Sequence, residues 1–221
     1  MGNLLEKITL YDILGYTFPG CVLLLLLMGT DAERVYAFLG EWSDYKGALY
    51  FIFFLAAYLS GIILSELTDI VMAMRKKGKP SRAAEWERDA FLSRQVAGAL
   101  KRAGYCEGEG AETEEAIAGS IVTHGMGKYM GYMYGSVQTG TEYTRIHNYA
   151  SAHLLYKNLA MALGIGTGVL FVSKGWNFGI LIAGVILTAL MVKRSIRFYH
   201  IKNKYAVVWF LNQTWESAEN N

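Results

Sequence analysis

The sequence predicts an all-α integral membrane protein with four transmembrane helices, both termini inside the cell (N-in/C-in), and a helical cytoplasmic insertion between helices two and three. Of the 221 residues, 53% are hydrophobic and only 18% are charged, whereas soluble domains carry about 25% charged residues. The mean hydropathy is +0.22. The apolar residues are gathered in long blocks, and a bilayer core about 30 Å thick needs roughly 17–25 such residues in a helix.

Four blocks are long enough to cross a membrane. The first covers residues 13–29 and the second residues 48–65, and neither contains a charged residue. The third covers residues 157–173 and the fourth residues 176–192, with a two-residue turn between them. We expect the first block to be retained rather than cleaved as a signal peptide, because no basic segment precedes it.

Lysine and arginine cluster on one side of the four spans, while the loop after the first span is acidic. The positive-inside rule makes the basic side cytoplasmic, so both termini and Cys106 are expected inside the cell. Trp42, Tyr45 and Trp176 are then expected at the outer interface, where aromatic side chains concentrate. The basic residues are Arg75, Lys76, Lys77, Lys79 and Arg82 after the second span, and Lys193, Arg194, Arg197, Lys202 and Lys204 after the fourth.

Four segments follow from this topology. Residues 1–74 form a first transmembrane hairpin and residues 155–193 a second. Residues 75–154 form a helical cytoplasmic region between the hairpins. Residues 194–221 form a basic, amphipathic cytoplasmic tail.

Helix boundaries can be placed inside the cytoplasmic region. Pro80 and Ser81 are typical of a helix start, and Gly104 is typical of a helix end. Thr113, followed by two glutamates, is typical of a second N-cap. The helical pattern after it continues toward the third span, with a break expected near Gly140.

Glycines at four-residue spacing form two candidate packing stripes. Gly127, Gly131 and Gly135 lie in the cytoplasmic region, and Gly164 and Gly168 lie in the third span. Such spacing lets another backbone approach a helix closely. For the cytoplasmic stripe this predicts a tight crossing within the chain. The alternative is an oligomer contact, or a segment that enters the membrane when triggered.

Charged residues near the inner ends of the spans form a candidate network. Glu66 and Arg194 are expected at one depth, so we predict an ion pair that neutralises both charges near hydrocarbon. The alternative is the charged mouth of a pore, where acidic rings select cations. The network consists of Asp12, Glu66, Asp69, Lys193, Arg194 and Arg197.

Motifs of known catalytic and cofactor sites are missing from the sequence. There is no Gly-x-Ser-x-Gly, no phosphate loop and no His-Glu-x-x-His. His147 and His153 are six apart and do not share a helical face. Arg194 and His200 fit a loose ribonuclease pattern, but a basic collar at a membrane exit explains them better. We therefore expect no enzyme activity, no cofactor and no metal site, and the net charge of +2 predicts no direct nucleic-acid binding.

The segment from Leu10 to Gly20 reads LYDILGYTFPG. It resembles the start of small bacterial membrane proteins that carry Tyr-Asp-x-x-Gly-Tyr-x-x-Pro-Gly ahead of their first span, some of which accompany anti-phage defence or abortive-infection genes. An Arg-containing helix entering the third span and a basic, aromatic C-terminal helix are further similarities. The resemblance implies a multi-pass protein of the bacterial inner membrane. Within the motif, Pro19 is expected to kink the first span.

The resemblance and the topology together predict a homo-oligomeric effector of anti-phage defence that perturbs the membrane or forms a pore. The alternative is a membrane anchor or sensor that recruits and controls a cytosolic effector without forming a pore. The expected partners are the lipid bilayer, with anionic inner-leaflet lipids at the basic tail, and further copies of the chain. The anchor hypothesis adds a cytosolic protein bound through residues 75–154.

Overall fold

A computed structural model describes residues 13–76, 85–105, 112–137 and 143–219 of the chain. The described residues are organised almost entirely as helices. Four helices are long and apolar enough to cross a membrane, which confirms the predicted class of an all-α protein with four candidate membrane spans. These helices cover Ile13–Glu41, Lys46–Met74, Thr144–Ser173 and Phe178–Ser217.

The described part of the chain contains the following α-helices: α1 (Phe18–Met28), α2 (Ala32–Glu41), α3 (Lys46–Lys76), α4 (Ala90–Arg102), α5 (Glu114–His124), α6 (Met130–Val137), α7 (Tyr143–Ser173) and α8 (Phe178–Glu219). A π-helical turn, Ile13–Thr17, precedes α1. Short 3-10 turns lie at Gly29–Asp31, Ser43–Tyr45, Glu85–Arg88 and Met126–Lys128.

The helices form two compact units. The first, here called the spanning unit, comprises the described residues within 1–74 and 150–198. The second, the helical domain, comprises those within 75–149 and 199–221. Helices α7 and α8 contribute to both units. The sequence-based division treated the C-terminal residues as a separate tail, whereas the structure makes them the last part of α8 and a component of the helical domain.

Glycine determines how closely α1 and α3 approach each other in the spanning unit. A Cβ atom on Gly20 would collide with the backbone carbonyl of Ala57, and one on Gly61 would collide with the carbonyl of Tyr16. The two backbones are therefore in direct contact, which is the arrangement that small residues permit between membrane helices.

The third span packs on both of its neighbours through small residues as well. Gly166 of α7 lies against the side chain of Leu26 in α1, with the nearest carbon 2.5 Å from a Cβ placed on the glycine. Gly184 of α8 lies against the side chain of Thr167 in α7. No larger side chain fits at either glycine without moving its neighbour.

The connection between α7 and α8 is longer than the two-residue turn expected from the sequence. Gly175 and Trp176 have φ angles of +69° and +63°, which end helix α7. The side chain of Asn177 then caps α8, because its Oδ1 accepts a hydrogen bond from the backbone N–H of Gly179 at 3.0 Å. The fourth span consequently begins at Phe178 rather than at residue 176.

The first helix of the helical domain is capped at both ends. Asp89 precedes α4, and its Oδ1 accepts a hydrogen bond from the backbone N–H of Leu92 at 2.8 Å. The helix start expected at residues 80–81 lies outside the described residues. Gly104, with a φ of +78°, follows the end of α4 as predicted. Thr113 caps α5, also as predicted, by accepting a backbone N–H from the first turn.

The helical domain has its own hydrophobic core, and the C-terminal part of α8 completes it. Residues from α4, α5 and α6 surround the apolar face of α8, so that face is not available to lipid. This burial explains the amphipathic pattern of the tail by packing within the chain. The buried members are Val96, Ala97, Ala99, Leu100, Ile117, Ile121, Met126, Tyr129, Met133, Ile146, Ala206, Val207 and Phe210.

Glu112 joins the start of α5 to the turn that follows it. Its Oε1 lies 2.6 Å from Nζ of Lys128, and its Oε2 accepts a hydrogen bond from the hydroxyl of Tyr129 at 3.1 Å. The hydrogen bond from the ammonium group holds the pKa of the Glu112 carboxyl below its ordinary value. The stabilisation from this carboxylate is therefore present at neutral pH and is lost as the pH falls through the lowered pKa.

The structure corrects the predicted role of Gly127, Gly131 and Gly135. A Cβ at any of the three would have no neighbour within 4 Å, so these glycines make no tight crossing within the described residues. They are exposed, while Tyr129 and Met133 between them are buried. The repeat is not one continuous stripe, because the helix ends before Gly127 and a new one begins at α6. The break expected near Gly140 falls outside the described residues.

We predict that Gly61→Ala lowers the melting temperature of the protein in detergent. The added methyl group collides with the Tyr16 carbonyl, and overpacking of this kind costs about 1–3 kcal/mol. Gly119→Ala in α5 is the matched control, because a Cβ there meets nothing within 4 Å and alanine is favoured over glycine in a helix by roughly 0.5–1 kcal/mol. Thermal unfolding followed by circular dichroism should show opposite shifts. An unchanged melting temperature for Gly61→Ala would contradict the close crossing.

Candidate functional site

A short stretch of α7, residues 153–158, forms polar contacts with each of the other three spanning segments. This stretch is about 7.5 Å long at a rise of about 1.5 Å per residue, so its contacts lie in one layer of the spanning unit. We call this group the polar layer. Its members are His153, Lys157 and Asn158 of α7, Gly15 of the π-helical turn, Asp69 of α3 and Ser195 of α8.

Asn158 supports the irregular start of the first span. It is fully buried, and its Nδ2 donates a hydrogen bond to the backbone carbonyl of Gly15 at 3.0 Å. In a regular helix that carbonyl accepts the N–H four residues later, but the residue there is Pro19, which has none. An unsatisfied carbonyl inside a bilayer costs several kcal/mol. Asn158 therefore supplies the donor that the proline lacks.

Two buried oxygen atoms, one in the polar layer and one two residues after Gly15, have no hydrogen-bond partner among the described residues. They are Oδ1 of Asn158 and Oγ1 of Thr17, and both are buried. Buried polar atoms in native proteins are usually satisfied by protein groups or by ordered water. The layer therefore contains an oxygen atom that can still form a hydrogen bond with a group outside the described residues.

An ion pair connects α7 to α3 in the same layer. Nζ of Lys157 lies 2.8 Å from Oδ1 of Asp69. The lysine side chain is only 10% exposed, while the aspartate is 61% exposed. Because the ammonium group is largely withdrawn from solvent, removing the aspartate would leave an uncompensated charge, which is strongly unfavourable.

His153 connects α7 to α8. Its Nδ1 lies 3.0 Å from the backbone carbonyl oxygen of Ser195 and 2.9 Å from the hydroxyl oxygen of that residue. The hydroxyl group of Ser195 also donates to the backbone carbonyl of His153 at 3.3 Å. Close by along the same two helices, the rings of Tyr156 and Phe198 stack with an interplanar angle of 3°. His153 thus has a tethering role.

The predicted charge network is distributed differently in the structure. Asp69 pairs with Lys157, and the guanidinium group of Arg194 lies 5.9 Å from the centre of the Tyr156 ring. Glu66 and Arg194 are both exposed and form no ion pair with each other. Two residues can lie at the same depth in the membrane on helix faces that point away from each other. Equal depth is therefore not enough to predict an ion pair between them. Lys193 and Arg197 are exposed and form no ion pair within the described part of the chain, and Asp12 lies outside it.

The glycines of the third span differ in their surroundings. Gly166 packs against α1, whereas a Cβ on either Gly164 or Gly168 would have no neighbour within 4 Å. Both of these residues are exposed. The Gly-x-x-x-Gly motif therefore lies on a face of α7 that no described residue of the same chain covers.

We predict that Asn158→Leu lowers the melting temperature, because it leaves the Gly15 carbonyl without a donor; such a loss costs about 1–3 kcal/mol. Pro19→Ala supplies a backbone N–H four residues after Gly15. The double variant should therefore recover part of the loss. A double-mutant cycle of thermal unfolding in detergent measures this coupling, and strictly additive effects would contradict the proposed pairing.

The polar layer binds helices together and presents neutral oxygen atoms beside one half-buried ion pair. Among the described residues, no group of three His, Cys, Asp or Glu side chains could hold a metal ion. The chemistry that these residues support is therefore helix attachment and polar contact within the spanning unit. Comparisons with known protein families, with curated proteins and with solved structures give no match for this chain.

Proposed function

We propose that this protein is an inner-membrane component of a bacterial anti-phage system of the abortive-infection type, in which it acts as an oligomeric effector that perturbs the membrane or forms a pore. The proposal that the protein forms oligomers is supported by the exposed Gly164-x-x-x-Gly168 face of α7. The resemblance of the N-terminal motif to defence-associated membrane proteins supports the biological setting.

The spanning helices offer much surface to lipid or to further copies. In their most apolar windows, between 11% and 28% of the residues are buried. The polar contacts between spans lie in the layer at residues 153–158 of α7, close to one end of that helix's apolar segment. A conducting path would therefore be formed between copies rather than within one copy. Close packing of helices through Gly-x-x-x-Gly faces is a common way to build such an assembly.

The helical domain supports the alternative function, a membrane anchor or sensor that controls a cytosolic effector. This domain has a hydrophobic core of its own, and it exposes the large apolar side chains of Phe91 and Trp215. Exposed aromatic residues are enriched where proteins bind partners. In this case the spans would attach the domain to the membrane, and no ion flux would follow.

Contact with anionic lipids would involve only part of the C-terminal basic segment. The apolar residues Ala206, Val207 and Phe210 lie in the core of the helical domain. Lys193 and Arg197 are exposed at the end of the apolar part of α8. These two side chains are the best placed for attraction to an anionic inner leaflet.

We predict that Gly164→Leu reduces the oligomer in detergent to smaller species, because a large side chain keeps a second backbone away from α7. Val185→Leu is the matched control, since Val185 is an exposed apolar residue of α8. Light scattering corrected for bound detergent measures the mass. If the wild type is only a monomer, or if both variants assemble like the wild type, this face is not the contact. Gly131→Leu then shows whether the exposed glycines of the helical domain form it.

The same variants separate the two functions in cells. Overproduced or activated wild-type protein should depolarise the inner membrane, and Gly164→Leu should abolish the effect while Val185→Leu preserves it. A voltage-sensitive dye provides the measurement. A protein that never depolarises cells, even when a trigger is present, would exclude the pore and favour the anchor.

The proposed orientation has its own test. The proposal puts both termini and Cys106 in the cytoplasm, so a membrane-impermeant maleimide should not label Cys106 in intact cells. In a variant in which Cys21 and Cys106 are replaced by alanine, a cysteine at Asp44 should be labelled. Labelling of Cys106 from outside, with protection at residue 44, would reverse the topology.

A further inference from the structure

Helix α2 lies within the acidic loop between the first two spans. It begins after Asp31, whose side chain accepts a hydrogen bond from the backbone N–H of Arg34. None of its residues is buried within the described chain. The helix thus makes little contact with the rest of the protein, although it is ten residues long.

The residues of α2 are segregated by character around the helix. Val35, Phe38, Leu39 and Trp42 are spaced at i, i+3, i+4 and i+7, which places them on one face. Glu33 and Ala37 lie on the opposite face, and Arg34 and Glu41 lie along one edge of the apolar face. The apolar face remains open, since Phe38 is 49% exposed and Trp42 is 46% exposed.

The connections at both ends of α2 limit how it can be oriented. Ten helical residues span about 15 Å. The turn Ser43–Tyr45 that leads into α3 is a 3-10 turn of three residues, and at about 2 Å per residue it covers roughly 6 Å.

The contacts of Gly61 with Tyr16 and of Gly20 with Ala57 set the antiparallel register of α1 and α3, and this register places Lys46 level with Asp31. If α2 stood upright on the membrane, the short turn could not return the chain from the top of α2 to Lys46. The helix must therefore lie close to the plane in which α1 ends and α3 begins.

We infer that α2 is an in-plane helix that binds the headgroup region of the lipid bilayer through its Val35, Phe38, Leu39 and Trp42 face. Amphipathic helices bury such a face at the boundary between headgroups and acyl chains. The rings of Phe38, Trp42 and Tyr45 follow one another at centroid distances of 5.9 Å, and aromatic residues favour this depth.

The charges of α2 indicate which lipid it prefers. This loop carries more acidic than basic residues. The acidic residues are Asp31, Glu33, Glu41 and Asp44, and the basic residues are Arg34 and Lys46. An acidic polar face is repelled by anionic headgroups, so a zwitterionic surface is the better partner. This inference does not depend on the orientation of the protein or on pore formation.

Spin labels at single cysteines test the inference in the full-length protein. Each of residues 33–42 is replaced in turn by cysteine in the Cys21→Ala/Cys106→Ala variant, which is then reconstituted in phosphatidylcholine vesicles. Oxygen reaches labels in lipid, while a water-soluble nickel complex reaches labels in water. Oxygen access should be highest at 35, 38, 39 and 42, nickel access should be highest at 33 and 37, and positions 34 and 41 should give intermediate values.

Two variants provide the matched comparison. Phe38→Glu places a charge on the apolar face, and it should raise nickel access at residue 42 to the level seen at residue 33. Ala37→Glu places the same charge on the polar face and should leave residue 42 unchanged. High nickel access at all positions would show that α2 projects into water. Low access of both reagents on the apolar face would show that protein covers it, and either result would overturn the inference.

Discussion

The hydrogen bond from Asn158 to the Gly15 carbonyl is the constraint on which the spanning unit depends. Pro19 cannot donate to this carbonyl, and Asn158 of α7 donates to it instead. Immediately after the proline, Gly20 brings α1 into backbone contact with α3. These contacts explain the Gly-Tyr-x-x-Pro-Gly part of the motif in physical terms. It forms the point at which the first span is attached to the second and third.

Helix α7 is attached to all other spans within residues 153–158, and this stretch begins three residues after the boundary of the spanning unit at Ala150. On α8, Ser195 lies three residues before the corresponding boundary at Phe198. Both helices continue without interruption into the helical domain.

The spans and several helix ends could be predicted because they depend on local composition. An apolar block defines its own span. Gly104, which adopts a positive φ, and Thr113, an N-cap, each determine a helix end only a residue or two away. The contacts between spans could not be predicted in the same way, since they depend on helix rotation. Sequence spacing did not indicate that Gly166, rather than Gly164, packs against a neighbouring span. It also did not indicate that Lys157, rather than Arg194, forms an ion pair with an acidic residue of α3. Helix α2 was missed although Asp31 and the spacing of its apolar residues were visible signals.

The position of the Lys157–Asp69 pair bears on how copies could assemble. Lys157 and Gly164 are seven residues apart, so both lie near one face of α7. An assembly through the glycine face would therefore bring the ion pairs of neighbouring copies toward one another. Because each pair is neutral as a whole, copies can approach at small electrostatic cost. If Asp69 were removed, the same approach would bring uncompensated ammonium groups together. In the proposed assembly, the ion pair would therefore also allow close contact between copies, in addition to attaching α3 to α7.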